Sequence, residues 1–355
     1  MPKMSSEPAV PPCQRATLHG PTMGTRWSAT VDADNTVDLA ALRQDLAAAV
    51  EQVDAQMSPW RPSSDLMRLN RAPVGDWVDL PAEIREVLDC ALDVQRLSAG
   101  AFDPCVGALV DAWGFGAVRD APDAQAIRAV RQSMPLAAHG CLELDRPASR
   151  ARKRAPLQLD LCGIAKGYAV DRMAQVLQQH GVRHALAALD GELRAVGGQA
   201  SGVPWAVALE RPEAGRRAVH GVIELEDLAV ATSGDYRRYL EVGDARLAHT
   251  MDARRCAPVN NAVASVTVLA RTCMHADAWA TALLVAGPDA GLAMAQRMGM
   301  DVLFLLRRAE GLVELGLGRF TAPHTPAPAP PTSTPSRPSH SAASAPETTA
   351  ATPGS

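Results

Sequence analysis

The chain has 355 residues, 47% of them apolar and 21% charged, with a formal net charge of −4. Such a length buries a substantial core in one large domain or two small ones, and basic residues spread along an acidic chain argue against nucleic acid as a partner. The seven cysteines (Cys13, Cys90, Cys105, Cys141, Cys162, Cys256 and Cys273) are odd in number and form no C-x-x-C pair, so they read as free thiols, not a disulfide framework or a zinc cluster.

Residues 1–17 read as a mobile leader without an apolar run of signal-peptide length, and Cys13 lacks the hydrophobic segment a lipid-modified cysteine needs. With Met1 as the native start, the expected location is cytoplasmic, and no later stretch approaches the ~20 apolar residues of a membrane span. The folded body is expected over 18–320. It opens with a strand at Thr25–Val31, where apolar and polar residues alternate. Leu42, Leu46, Ala49, Val50 and Val53 give Leu39–Met57 helical spacing, and Pro81 to Leu97 forms a second helix that stops before Gly100. Leu157–Leu161 reads as a strand and Ile164–Gln179 as a helix ended by Gly181. Further strands are expected at His184–Leu189, Trp205–Leu209, Val219–Leu225, Leu228–Thr232 and Ala264–Ala270. Met274–Ala286 is a helix apolar nearly all round, hence buried, and Asp301–Arg307 is the last strand. Residues 321–355 hold nine of the 27 prolines among Ser, Thr and Ala, with only Arg337 and Glu347 charged, and are read as a disordered tail. Helices and strands interleave without a βαβ rhythm, which favours an α+β fold.

Two segments stand out chemically. Asp160-Leu-Cys-Gly-Ile-Ala-Lys-Gly-Tyr-Ala-Val-Asp171 brings an acid, a glycine turn and Lys166 to the start of a helix, where unpaired N–H groups and the dipole favour phosphate. Asp277-Ala-Trp-Ala-Thr281 puts a carboxylate and a hydroxyl at i and i+4 on one face of the apolar helix. Oxygen ligands of this kind suit Mg²⁺ better than zinc, and the pair reads as a Mg²⁺–diphosphate site. Each piece also has a bland reading, a tight turn for the first and a satisfied core aspartate for the second. No G-x-x-x-x-G-K-[ST] or G-x-G-x-x-G occurs. In His249-Thr-Met-Asp252-Ala-Arg-Arg-Cys-Ala-Pro258, a histidine three residues from an aspartate and near two arginines suits proton transfer beside an anion. Gly100-Ala-Phe-Asp103-Pro either presents Asp103 to a ligand or caps a helix.

Taken in order, these segments resemble the ApbE family, the FAD:protein FMN transferases. The resemblance is carried by Thr22-Met-Gly-Thr25, Met57-Ser-Pro-Trp60, Ser64-Asp-Leu-Met-Arg-Leu-Asn70, Gly100-Ala-Phe-Asp-Pro104 and Ala112-Trp-Gly-Phe-Gly116. It continues through Asp160–Asp171, Pro204-Trp-Ala-Val, Ala231-Thr-Ser-Gly-Asp-Tyr236, His249-Thr-Met-Asp252 and Ala276-Asp-Ala-Trp-Ala-Thr-Ala282.

The resemblance implies an ApbE-like α+β fold related to the T-fold, with FAD as substrate and Mg²⁺ as cofactor. Met23, Trp60, Ala101, Phe102, Asp103, Asp160, Lys166 and Met251 are implied to line the FAD site. Gly163 (through its carbonyl), Asp277 and Thr281 are implied to hold the metal. His249 is the implied base, supported by Asp252, and the acceptor is a flavoprotein Ser or Thr in an Asp-Gly-x-x-[Ser/Thr]-Gly-Ala-[Ser/Thr] motif. The implied reaction leaves FMN in a phosphoester and releases AMP. The same residues would serve an FAD pyrophosphatase or a non-catalytic FAD carrier. The chain departs from the family pattern at Ala253 and Cys256, where Pro and Gly are usual, at Asp190-Gly-Glu192, where the usual loop is Gly-Gly-Asp, and at Cys162, where a small residue is usual before Gly163. A left-handed residue in the turn after Asp252 would be strained at Cys256.

Overall fold

The computed structural model describes residues 13–133, 140–213, 218–236, 239–242 and 245–321. Residues 1–12 of the expected leader and the expected tail beyond Thr321 lie outside the described residues. A hairpin of β1 (Gln14–Thr22) and β2 (Thr25–Ala33) leads into α1 (Leu39–Met57) and α2 (Asp65–Arg71). After the short β3 (Val78–Asp79) come α3 (Ala82–Leu97), α4 (Gly107–Ala112) and α5 (Ala124–Ser133). β4 (Leu142–Asp145) and β5 (Arg150–Lys153) precede α6 (Ala165–Gln179). There follow β6 (Ala185–Leu189), β7 (Glu192–Val196), β8 (Trp205–Glu210), β9 (Val219–Leu225) and β10 (Ala229–Gly234). Four short strands, β11 (Tyr239–Val242), β12 (Ala245–Ala248), β13 (Met251–Asp252) and β14 (Ala257–Pro258), lead to β15 (Val263–Ala270). α7 (Cys273–Ala286) and α8 (Pro288–Arg297) come next, then β16 (Asp301–Arg308), β17 (Gly311–Leu317) and a 3₁₀ turn at Gly318–Thr321.

The architecture is α+β. An eight-stranded antiparallel sheet in the order β1-β2-β6-β7-β10-β15-β16-β17 carries α1, α6 and α7 on one face. The two-fold alternation of a strand divides its side chains between two cores. Val302, Phe304 and Leu306 of β16 point to the helices, while Leu303 and Leu305 point to the β8–β9 ribbon with Trp205, Ile223 and Phe320. Strand β15 is buried from Val263 to Leu269, as expected of a strand covered on both faces.

Three expectations need correction. Residues 14–17, assigned to the leader, belong to β1, which pairs with β2 from Gln14↔Ala33 to Thr22↔Thr25. This edge strand is mostly exposed, so its sequence carries little apolar alternation. Leu157–Leu161 is not a strand. Leu159 instead bonds the Asn70 side chain, giving its N–H to Oδ1 at 2.7 Å and accepting Nδ2 at 3.0 Å, so an amide does the work of a ladder partner. Asp301–Arg307 is not the last strand, because β16 turns back into β17.

α6 and α7 approach closely at Gly167. A Cβ added at Gly167 would lie 2.4 Å from the Cys273 carbonyl oxygen and 2.8 Å from Asp277 Cβ. Neither neighbour is a flexible chain end, so only glycine lets these helices meet at this distance. Gly167→Ala is therefore expected to destabilise the fold by about 1–3 kcal/mol through overpacking. Urea unfolding measures it; a midpoint equal to wild type would show that the helices can separate freely.

Candidate functional site

The site is built where the turn before α6 meets α7 and the loop after α3. Asp160 starts the turn, accepting the Cys162 N–H at 2.7 Å, while its own N–H bonds the Pro104 carbonyl at 2.8 Å. The loop carrying Ala101, Phe102 and Asp103 is thereby tied to the segment carrying Gly163 and Lys166. A Cβ at Gly163 would stand 3.0 Å from Thr281 Oγ1 and 3.5 Å from the Phe102 ring. Thr281 Oγ1 also shares a hydrogen bond with Ser233 Oγ at 3.1 Å. One turn earlier on α7, Asp277 is 3% exposed and accepts the Gly167 N–H at 3.0 Å. The structure thus brings together Gly163, Lys166, Asp277 and Thr281, which lie more than a hundred residues apart in sequence.

The electrostatics of this corner are unbalanced. Lys166 Nζ pairs with Glu192 at 2.7 Å and lies 3.6 Å from Asp190. Burial works against the lysine charge, but Glu192, Asp277 and Asp190 outweigh it and hold its pKa above the ordinary value. Burial pushes Glu192 up, and its Oε2 is a buried oxygen without a hydrogen-bond partner. Burial, then the Glu192 charge, push Asp277 up to about 7 despite Lys166 and the Gly167 N–H. Two buried carboxylates, Glu192 and Asp277, therefore share the Lys166 ammonium, with the exposed Asp190 at its edge, and burying charge in this way is costly.

A cation fits this environment. Asp277 and Thr281 offer hard oxygen donors beside the Gly163 backbone, and among the described residues no group of three His, Cys, Asp or Glu could hold a metal. A bound ion would therefore need backbone, hydroxyl or ligand oxygens, a set that suits Mg²⁺.

Other expected residues surround this corner or lie further off. Asp103 accepts Gln95 Nε2 at 2.7 Å and the Cys105 N–H at 2.8 Å, and burial raises its pKa. It closes a local turn and does not cap α4, whose N-cap is Val106. Ala101 and Phe102 are buried, whereas Trp60 is 47% exposed and offers an aromatic face. Met23 and Gly24 form the two-residue turn of the β1–β2 hairpin, with φ of 46° and 70°. That twist matches the flanking strands, but methionine is strained in the left-handed region, a feature that recurs at ligand sites.

The histidine segment rests on α4. Met251 packs with Leu109 and Phe115, and the His249 ring stands edge-on to Phe115 at 6.5 Å between centroids. Asp252, expected to support His249, gives both oxygens to Arg254, with Nε at 2.9 Å and an NH2 contact at 3.0 Å. Arg254 also reaches the Val285 carbonyl at 3.4 Å, joining this turn to the C-terminal end of α7. Cys256 sits at φ 49°, the left-handed position where the family pattern has glycine. Three residues near the site went unassigned from sequence: Ser233, Asp190 and Glu192. The two acids flanking Gly191 were the available signal for the last two.

A model of the ApbE family matches residues 23–304. The FAD:protein FMN transferase of Vibrio cholerae is 35% identical over 317 residues, covering 87% of this chain and 92% of that protein. The FAD:protein FMN transferase of Haemophilus influenzae is 34% identical over 320 residues, with the same coverage. Among solved structures, the flavin transferase ApbE from Vibrio cholerae superimposes with a TM-score of 0.78 at 33% identity, covering 86% of this chain and 98% of that one. The apo flavinyl transferase ApbE of Pseudomonas stutzeri gives 0.76 at 35% identity, covering 86% and 95%.

The Asp277 environment makes a signed prediction. Its folded pKa lies above its unfolded value, so the folded chain holds this proton more tightly. Metal-free stability should therefore fall as pH rises between 3.8 and about 7. Asp277→Asn should flatten that part of the slope, read from urea unfolding in EDTA across the pH range. An identical slope in the variant would refute the assignment of an unbalanced charge to Asp277.

Proposed function

The chain belongs to the ApbE family, and from that membership we propose that it transfers the FMN half of FAD to a Ser or Thr hydroxyl of a partner flavoprotein. The observation that carries the reading is the buried carboxylate Asp277, held against the first turn of α6 in a corner with more acids than bases. Such a corner is unfavourable alone and favourable once a cation and a diphosphate complete it.

Gly163 through its carbonyl, Asp277 and Thr281 would hold Mg²⁺. When bound, the ion supplies charge neutralisation for the diphosphate and the departing AMP. The amides of the turn before α6 and Lys166 orient the phosphates. The loop Ala101–Asp103, with Asp160, Met23, Trp60 and Met251, lines the flavin and adenosine parts. His249 takes the proton of the acceptor hydroxyl. The hydroxyl oxygen forms a bond to the FMN-side phosphorus, and the bond to the bridging oxygen breaks in line, so AMP leaves and FMN remains as a protein phosphoester. Asp252, bonded to Arg254, shapes the turn that carries His249. Most of the rate enhancement comes from positioning and electrostatics, as in other phosphoryl transfers. The acceptor is a flavoprotein presenting an Asp-Gly-x-x-[Ser/Thr]-Gly-Ala-[Ser/Thr] segment. No helix among the described residues is long and apolar enough to cross a membrane.

Incubating the protein with FAD, Mg²⁺ and an acceptor carrying that motif should add one FMN to the acceptor's intact mass, with an equal amount of AMP. Free FMN and AMP without the mass gain would instead identify a pyrophosphatase, and bound FAD without AMP a carrier. His249→Ala should slow transfer by about 10²–10⁴-fold, the usual worth of general-base catalysis, with little change in FAD affinity. Asp277→Ala should abolish the response to Mg²⁺. Normal turnover by Asp277→Ala would remove the metal assignment.

A further inference from the structure

Asp171 has no place in the chemistry above, yet it is 5% exposed and bonded on every side. From α6 its Oδ1 accepts the Cys273 N–H at 2.8 Å, and its Oδ2 accepts the Met274 N–H at 2.9 Å. Arg194 of β7 closes the arrangement with an ion pair to Oδ1 at 2.5 Å. The two amides open α7 and have no acceptor within their own helix. Thr272, the residue in the N-cap position, accepts the His275 N–H at 3.4 Å and pairs with His275 Nδ1 at 2.6 Å, so these two amides are left to Asp171.

Asp277 does the reverse. From α7 it accepts the N–H of Gly167 in the first turn of α6, whose own N-cap, Ile164, makes no side-chain bond. Each helix therefore has its N-terminal turn satisfied by a carboxylate carried on the other. The two contacts lie about one helical turn apart along α7, and together they fix axial register as well as separation. Register matters here, because an α-helix rises about 1.5 Å per residue, and misplacement of about 1 Å at a reacting centre can reduce a rate about 10²-fold.

We propose that Asp171, braced by Arg194, is a positioning residue for the metal site. It holds α7 in the register that sets Asp277 and Thr281 against Gly163, touching neither FAD nor the cation. The negative charge at the positive end of the α7 dipole strengthens the hold. The proposal rests on reading Gly163, Asp277 and Thr281 as the metal ligands.

The test compares FAD affinity, read by flavin fluorescence with and without MgCl₂, in wild type, Asp171→Ala and Asp171→Asn, alongside thermal unfolding. The gain in FAD affinity on adding MgCl₂ should fall about tenfold or more in Asp171→Ala, the scale seen when an outer-shell partner of a metal ligand is lost. Affinity without MgCl₂ should stay within about twofold, since no FAD contact is removed. Asp171→Asn keeps an acceptor oxygen of the same reach and should recover part of the loss. A lower melting temperature with an unchanged MgCl₂ gain would make Asp171 structural only and overturn the proposal. If Asp171→Ala does not fold, Arg194→Ala, which removes the brace, takes its place, and a wild-type MgCl₂ gain there overturns the proposal equally. A wild-type protein with no MgCl₂ gain would overturn the metal reading itself, an outcome visible before any substitution is made.

Discussion

The contact between α6 and α7 is the constraint on which the remaining structure depends. Gly167 allows the approach, Asp277 satisfies a first-turn amide of α6, and Asp171 satisfies the opening amides of α7. Unpaired amides at a buried helix end are costly, so two helices that exchange acceptors are locked at one separation and one register. Both pack on the same face of the central sheet, and the turn before α6 inherits its position from them. The loop after α3 then joins through the bond from Asp160 to Pro104.

The lock carries a charge imbalance that packing alone does not require. Hydrophobic residues at these positions would fill the same space without leaving the buried Asp277 and Glu192 to share Lys166. Burial of this kind lowers the stability of the empty chain and raises its affinity for whatever completes the site. Under the proposed function, a cation with oxygen ligands would answer the acids and Lys166 would answer the diphosphate. The electrostatics of the isolated protein and the chemistry of the family therefore point the same way.

Around this rigid centre, the outer parts of the site are set by strained or short-range elements. Met23 and Cys256 both occupy left-handed backbone that glycine adopts more easily. Met23 turns the edge hairpin, and Cys256 closes the turn that follows His249. In the second case a cysteine, not a glycine, occupies the left-handed position. The Trp113 indole donates to the Cys256 carbonyl at 3.4 Å, and Asp252 with Arg254 braces the other side. Cys256 is thus held in a strained conformation by contacts on both sides of its turn.

Periodicity made most of the elements legible from sequence. The span of α1 matches its 3.6-residue spacing, and β8 and β9 match their alternation, because these patterns depend on distances of two to four residues. The residue types at Asp160–Asp171 and Asp277–Thr281 also singled out two segments that the fold brings together. Edge strand β1, with few buried side chains, and the Leu157–Leu161 segment, bonded to the Asn70 side chain, escaped for the same reason: their partners are not encoded in local pattern. The roles of Asp171, Asp190, Glu192 and Ser233 escaped likewise. Asp277 meets Gly167 across 110 positions and Asp171 meets Cys273 across 102. The sequence by itself determined which side chains were available and which faces were apolar. Only the tertiary structure decided which carboxylate satisfies which amide and which charge remains unbalanced, because those depend on burial and on helix register.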